Sequence, residues 1–137
     1  MPRNTSTGEV LERMILPALR RGGYSWVRKK CIGERLGGGK HFVDIVAEKE
    51  GKKYLISLKW QQVQGTAEQK VPFEVICLAH AIRQGGYERA YLVLGGRGWK
   101  LKNFYVSGGL NMYLKNVEKV EILELEDFIA RCNSGQL

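Results

Sequence analysis

The chain has 137 residues, 44% apolar and 26% charged, with a net charge of +8. That length supports one domain with a real core, and the charge points to a polyanionic partner, most often nucleic acid. No apolar run approaches the roughly 18 residues of a membrane span. The start Met1-Pro2-Arg3-Asn4 lacks a signal-peptide core. Three widely spaced cysteines (Cys31, Cys77, Cys132) form neither a zinc-ligand pattern nor a disulfide framework. Reduced thiols in the cytoplasm are the expected setting.

Ser6-Thr7-Gly8-Glu9 fits a capping box, with Ser6 as N-cap and Glu9 at N3. The helix it opens places Leu11, Met14, Ile15, Ala18 and Leu19 on one face, and Gly22-Gly23 ends it. Pro17 threatens this helix, because an interior proline removes a hydrogen bond. Glu12 falls at the edge of the apolar face and Glu9 on the solvent side. Tyr24 to Arg28 alternates like a strand. Gly33 to Lys40, with three consecutive glycines, reads as a loop.

His41 to Ala47 and Tyr54 to Gln61 are two apolar runs flanking Gly51 in a charged segment, which predicts a β-hairpin. Gln61 to Gly65 reads as a loop, and Thr66 as the N-cap of a helix with Val71, Val75, Leu78, Ala79 and Ile82 at helical spacing. Pro72 falls in its first turns and Gly85-Gly86 closes it. Ala90 to Leu94 is a continuous apolar run, expected as a strand buried on both faces. A short helix beginning near Ser107, a last strand at Val120 to Leu123, a helix at Glu126 to Cys132 and a frayed tail from Asn133 complete the order. The expected fold is α/β, with core order α-β-β-β-α-β and a central mixed sheet flanked by helices, in one domain over residues 1–137.

Two charges in the apolar hairpin need an explanation: Asp44 in its first strand and Lys59 at the end of its second. A buried charge is costly unless it is paired or binds metal. Asp44, Lys59 and Glu12 together suit metal-dependent phosphodiester hydrolysis. Carboxylates hold a hard divalent cation, and a lysine orients water or stabilises transition-state charge. Gln61, two residues beyond Lys59, would hold a water or phosphate on the same face. A buried Asp44–Lys59 ion pair in a basic structural protein is the alternative. Arg28, Lys29, Lys30, Arg35 and Lys40 flank this hairpin and are the candidate DNA-backbone contacts. His41, His80 and the tryptophans read as structural.

These residues resemble the PD-(D/E)XK nuclease superfamily of restriction endonuclease-like folds. Val43-Asp44-Ile45-Val46-Ala47 looks like its "PD" motif with Val43 for proline. Ser57-Leu58-Lys59 looks like (D/E)XK with Ser57 for the acidic residue. Gly8 to Arg13, with Gly23-Tyr24 and Val27-Arg28, is similar to the start of archaeal Holliday-junction resolvases and singles out Glu12. The stretches Gly65 to Glu74 and Tyr91 to Trp99 are similar to restriction enzymes.

The resemblance implies a Mg²⁺-dependent DNA endonuclease in which Mn²⁺ substitutes, with site-specific double-strand cleavage of restriction or homing type preferred. Asp44, Glu12 and the Leu58 backbone carbonyl would hold the metal, Glu68 is the candidate for the missing acid, and Lys70 would lie near a phosphate. A homodimer or homotetramer is expected, since duplex cleavage needs two sites. A Holliday-junction resolvase and a non-catalytic DNA-binding module are the alternatives.

Overall fold

The structure is a computed structural model and describes residues 6–137; the capping role read for the Ser6 side chain lies outside the described residues. The first helical stretch runs through α1 (Ser6–Val10), a π turn (Leu11–Ile15) and α2 (Leu16–Arg21). The π turn accommodates Pro17. The Leu16 N–H reaches back to the Leu11 carbonyl, and proline then falls in the first turn of α2, where its missing donor matters least. The extra residue in the turn also rotates the helix surface. Leu11 and Ile15 stay buried, whereas Met14, expected on the same face, is 41% exposed.

The strands follow: β1 (Ser25–Glu34), β2 (Lys40–Lys49) and β3 (Lys52–Trp60), then α3 (Ala67–Arg83) and β4 (Arg89–Gly95). The chain closes with α4 (Lys102–Val106), a 3₁₀ turn (Gly109–Met112), β5 (Val120–Glu124) and α5 (Leu125–Asn133). They build a five-stranded sheet in the order β1-β2-β3-β4-β5. The first three strands pair antiparallel, and β3-β4 and β4-β5 pair parallel. This is the mixed α/β architecture of a restriction endonuclease-like fold, with helices on both sheet faces.

The hairpin turns at Glu50-Gly51, both at positive φ (54° and 80°), between the paired Lys49 and Lys52. That is the two-residue turn whose twist matches the strands. Strand β4 is buried along nearly its whole length, as its continuous apolar run implies.

Two hydrophobic cores sandwich the sheet. One packs α1, the π turn, α2 and α5 against Ile45, Ala47, Ile56, Leu58, Tyr91 and Val93. The other packs α3 against Val43, Val46, Leu55, Leu92, Leu94 and Ile122.

Four local expectations are corrected. Gly33 and Glu34 belong to β1 and Lys40 to β2, so the loop is only the turn between them. Thr66 makes no side-chain cap; a side chain from outside the helix, Gln61, accepts the first N–H, that of Ala67, through Oε1 at 3.2 Å. The short helix starts at Lys102, before Ser107. The C-terminal tail is docked: the Leu137 N–H donates to the Tyr24 hydroxyl at 3.0 Å, and Leu137 packs on the first core.

Candidate active site

The β2-β3 ladder runs from Lys49↔Lys52 to Ile45↔Ile56 and stops there, while β3 goes on pairing with β4 as far as Trp60. The inner edge of β3 beyond Ile56 therefore loses its backbone partner. Asp44 takes that place, and its Oδ2 accepts the Leu58 N–H at 2.7 Å.

The backbone around Asp44 is built for this. Val43 and Val46 pack on the α3 core but Ile45 and Ala47 on the other, so the strict alternation of a strand breaks at Asp44. In the neighbouring strand, Lys29 has the left-handed φ of 51°. A residue's N–H and C=O point to the same edge of an extended strand. The Leu58 carbonyl thus faces the same side as the Asp44 carboxylate.

Burial raises the Asp44 pKa above the usual carboxylate range, against the opposing pull of the Leu58 N–H and the Lys59 charge; the Glu74 charge adds to the rise. Asp44 lies within electrostatic reach of Lys59 on β3 and of Glu74 on α3.

Glu74 is the residue that the sequence reading missed. Its carboxylate is buried, 7% exposed, and Oε2 accepts from Ser57 Oγ at 3.4 Å. The other oxygen lies 3.5 Å from Arg35 Nη2, and His41 Nε2 stands 3.9 Å from Oε2. Burial acts to raise its pKa, but His41 and the charges of Lys59 and Arg35 outweigh burial and hold the carboxyl below its ordinary value. A signal existed: Glu74 sits on the buried stripe of α3, three residues after Val71 and four before Leu78.

Glu68, read as the candidate replacement acid, is used differently. Its Oε2 accepts the backbone N–H groups of Lys100 and Leu101, the latter at 2.8 Å. Its own carbonyl accepts the Tyr105 hydroxyl at 2.6 Å. Glu68 ties the segment entering α4 to α3, and the acid beside Ser57 is Glu74.

Gln61 is likewise committed. Its Nε2 donates to the Gly98 carbonyl at 2.8 Å and its Oε1 receives the Ala67 N–H, while its backbone bonds Gly95 and Gly98. It staples the loop after β3 to the loop after β4.

Glu12 lies on the outer side of the π turn and forms an ion pair with Arg28 Nη1 at 2.5 Å, its side chain 59% exposed. Arg28 stands across from Ile45, one residue past Asp44. Lys29 is close enough to act on the Asp44 carboxyl. Lys30 and Lys40 are exposed on the β1-β2 hairpin, and Lys70 is exposed on α3 one turn before Glu74. Arg35 is folded over α3, 5.7 Å from the Phe73 ring and paired with Glu74.

The profile of the PD-(D/E)XK nuclease superfamily domain matches residues 3–136. The chain belongs to the PD-(D/E)XK nuclease superfamily. Nucleases of this superfamily typically use divalent metal ions. Among solved structures, one described as a protein of unknown function, AF1548, is similar at TM-score 0.50 and 11% identity. The match covers 80% of this chain and 54% of that one, so this chain spans about half its length; the likeness is one of fold. No curated protein matches.

The donor set fits a divalent cation. Asp44, Glu74 and the Leu58 carbonyl all offer oxygen donors, the kind that hard Mg²⁺ prefers, and so few protein donors would leave positions for water. Among the described residues, no group of three or more His, Cys, Asp and Glu converges on one point. No helix among them is long and apolar enough to cross a membrane.

Proposed function

We propose that the protein is a Mg²⁺-dependent DNA endonuclease, with Mn²⁺ able to substitute, that cuts both strands at specific sites as a homodimer or homotetramer in the cytoplasm. The observation that carries this reading is the Asp44 carboxylate on the free edge of β3, with Lys59 and Glu74 beside it. Asp44, the Leu58 carbonyl and Glu74 would hold the cation. When bound, it polarises the phosphoryl oxygen and makes coordinated water more acidic.

The chain's own side chains supply the rest. Lys59 orients the attacking water and offsets the negative charge that grows on the phosphoryl oxygens. Ser57, too weak a donor to replace an acid, bonds the carboxylate that does replace it. Lys29, Lys30 and Lys40 on the β1-β2 hairpin, with Arg28 and Lys70, hold the DNA backbone without reading sequence. Glu12 supports this site from α1's side through its pairing with Arg28.

Glu74 favours the catalytic reading over a non-catalytic binding module, because its charge opposes the ionisation of Asp44, a cost that a bound cation would offset.

The test is cleavage of a supercoiled plasmid and of a synthetic four-way junction, each with Mg²⁺ or with EDTA. Discrete Mg²⁺-dependent plasmid fragments are expected. Cutting of the junction alone would make the protein a junction resolvase, and DNA binding without cutting of either substrate would contradict the enzyme reading.

A further inference from the structure

The His41 imidazole is 1% exposed, and neither ring nitrogen has a hydrogen-bond partner among the described residues. Leaving a buried polar group unpaired carries its full desolvation penalty. A leucine would fill such a place without that cost, so the imidazole needs a reason. Its Nε2 points to Glu74 Oε2 at 3.9 Å, about 1 Å beyond a good hydrogen bond.

Glu74 is loosely held on every side. Ser57 Oγ stands at 3.4 Å and Arg35 Nη2 at 3.5 Å, both longer than strong contacts to a carboxylate. A small rotation of the carboxylate closes one of these gaps at the expense of another. The donors also differ in kind. Arg35 brings a positive charge, which competes with a cation for the same oxygens. The imidazole in its neutral form donates one N–H and adds no charge.

We infer that His41 is a positioning residue: it donates Nε2–H to Glu74 Oε2 in the cation-loaded site and fixes the carboxylate's orientation. The inference rests on the metal-dependent nuclease reading and deepens it. Partners of this kind orient metal-binding carboxylates, and their loss typically weakens metal affinity by about 10- to 100-fold.

The test is Mn²⁺ titration by calorimetry on the full chain, with Tm measured in parallel, for wild type, His41→Leu, His41→Gln and both His41 variants in a Glu74→Gln background. His41→Leu is expected to weaken Mn²⁺ binding by at least about tenfold without lowering Tm, because it removes unpaired buried nitrogens. His41→Gln, whose amide N–H can reach a similar point, recovers most of the affinity. In the Glu74→Gln background the His41 changes add nothing.

Mn²⁺ binding by His41→Leu within about twofold of wild type would overturn the proposal, as would a full additional loss in the Glu74→Gln background. If His41→Leu does not fold, the ¹⁵N resonances of His41 in the wild-type protein decide. A Mg²⁺-induced shift of Nε2 supports the hydrogen bond, and an unmoved resonance under saturating Mg²⁺ refutes it. A wild-type protein that binds no divalent cation brings down the nuclease reading itself; binding that is indifferent to His41 brings down this inference alone.

Discussion

Glu74 on α3 lies 3.4 Å from Ser57 Oγ on β3, so the serine that stands where a strand carboxylate was expected is bonded to a carboxylate from a helix. Position along the chain is not what a metal site requires. It requires an oxygen at a point in space, and in the proposed site the α3 face packed on β3 would supply one. Glu74→Gln is therefore expected to lower Mg²⁺ or Mn²⁺ affinity by at least about tenfold. Its metal-induced rise in Tm should vanish at cation concentrations that saturate wild type. A wild-type Tm shift in the variant would show that Glu74 is not a ligand.

The two carboxylates affect stability in opposite ways. Asp44 has a raised pKa in the folded protein, because burial outweighs its hydrogen bond and Lys59. Its contribution is full below the unfolded carboxylate pKa and is lost as pH rises through the folded value. At neutral pH the ionised side chain thus weighs against the metal-free fold. Asp44→Asn, which still accepts the Leu58 N–H, should raise the Tm of metal-free protein at pH 7. The gain should shrink below about pH 4, where Asp44 is protonated in both states. The same variant should lose cation binding, a combination that thermal melts with and without Mg²⁺ will reveal.

Glu74 has a lowered pKa, so its contribution is present above the ordinary value and is lost as pH falls through the folded one. Glu74→Gln should cost about 1–2 kcal/mol at pH 7, and the cost should fade on acidification. Denaturant titrations at pH 7 and pH 3 give the difference directly.

Gln61 and Glu68 are expected to behave as structural residues. Removing Glu68 leaves two backbone N–H groups without their acceptor, and removing Gln61 frees the Ala67 N–H and the Gly98 carbonyl. Each alanine variant should lose about 1–3 kcal/mol while binding Mn²⁺ as wild type does. Loss of metal affinity at unchanged Tm in either variant would put that residue back in the site.

Gly96 makes the loop–loop contact possible. Its φ is +93°, and a Cβ there would run into the Gln61 backbone. Gly96→Ala combines a strained backbone with a collision that no side-chain rotation relieves, and should lower Tm by at least about 4 °C. An unchanged melting point would mean that the two loops separate without cost.

Much of this was legible in the sequence because it is local. Alternation around Gly51 gave the β2-β3 hairpin, and the unbroken apolar run from Ala90 gave the buried parallel strand. Asp44 and Lys59 stood out as charges in apolar strands. What stayed hidden depends on which surfaces meet. Glu74 is hidden because the apolar spacing of α3 marks its buried stripe without saying what a carboxylate on that stripe would meet. Thr66 has the residue type of a cap, yet it is Gln61, five residues earlier, whose side chain takes the first N–H of the helix, that of Ala67. Met14 fits an α-helical face and falls outside it once the π turn adds a residue. Leu137 looked like a loose end because its partner, the Tyr24 hydroxyl, is more than a hundred residues away in sequence.

The most direct test of the account is EDTA-sensitive cleavage of long, mixed-sequence DNA by wild type and by Asp44→Ala, Lys59→Ala, Glu74→Ala and Glu68→Ala. The predicted result is Mg²⁺-dependent cutting by wild type and Glu68→Ala, with rates at least about a hundredfold lower for the other three. Cutting by Glu74→Ala at the wild-type rate, or cutting by wild type that persists in EDTA, would contradict it.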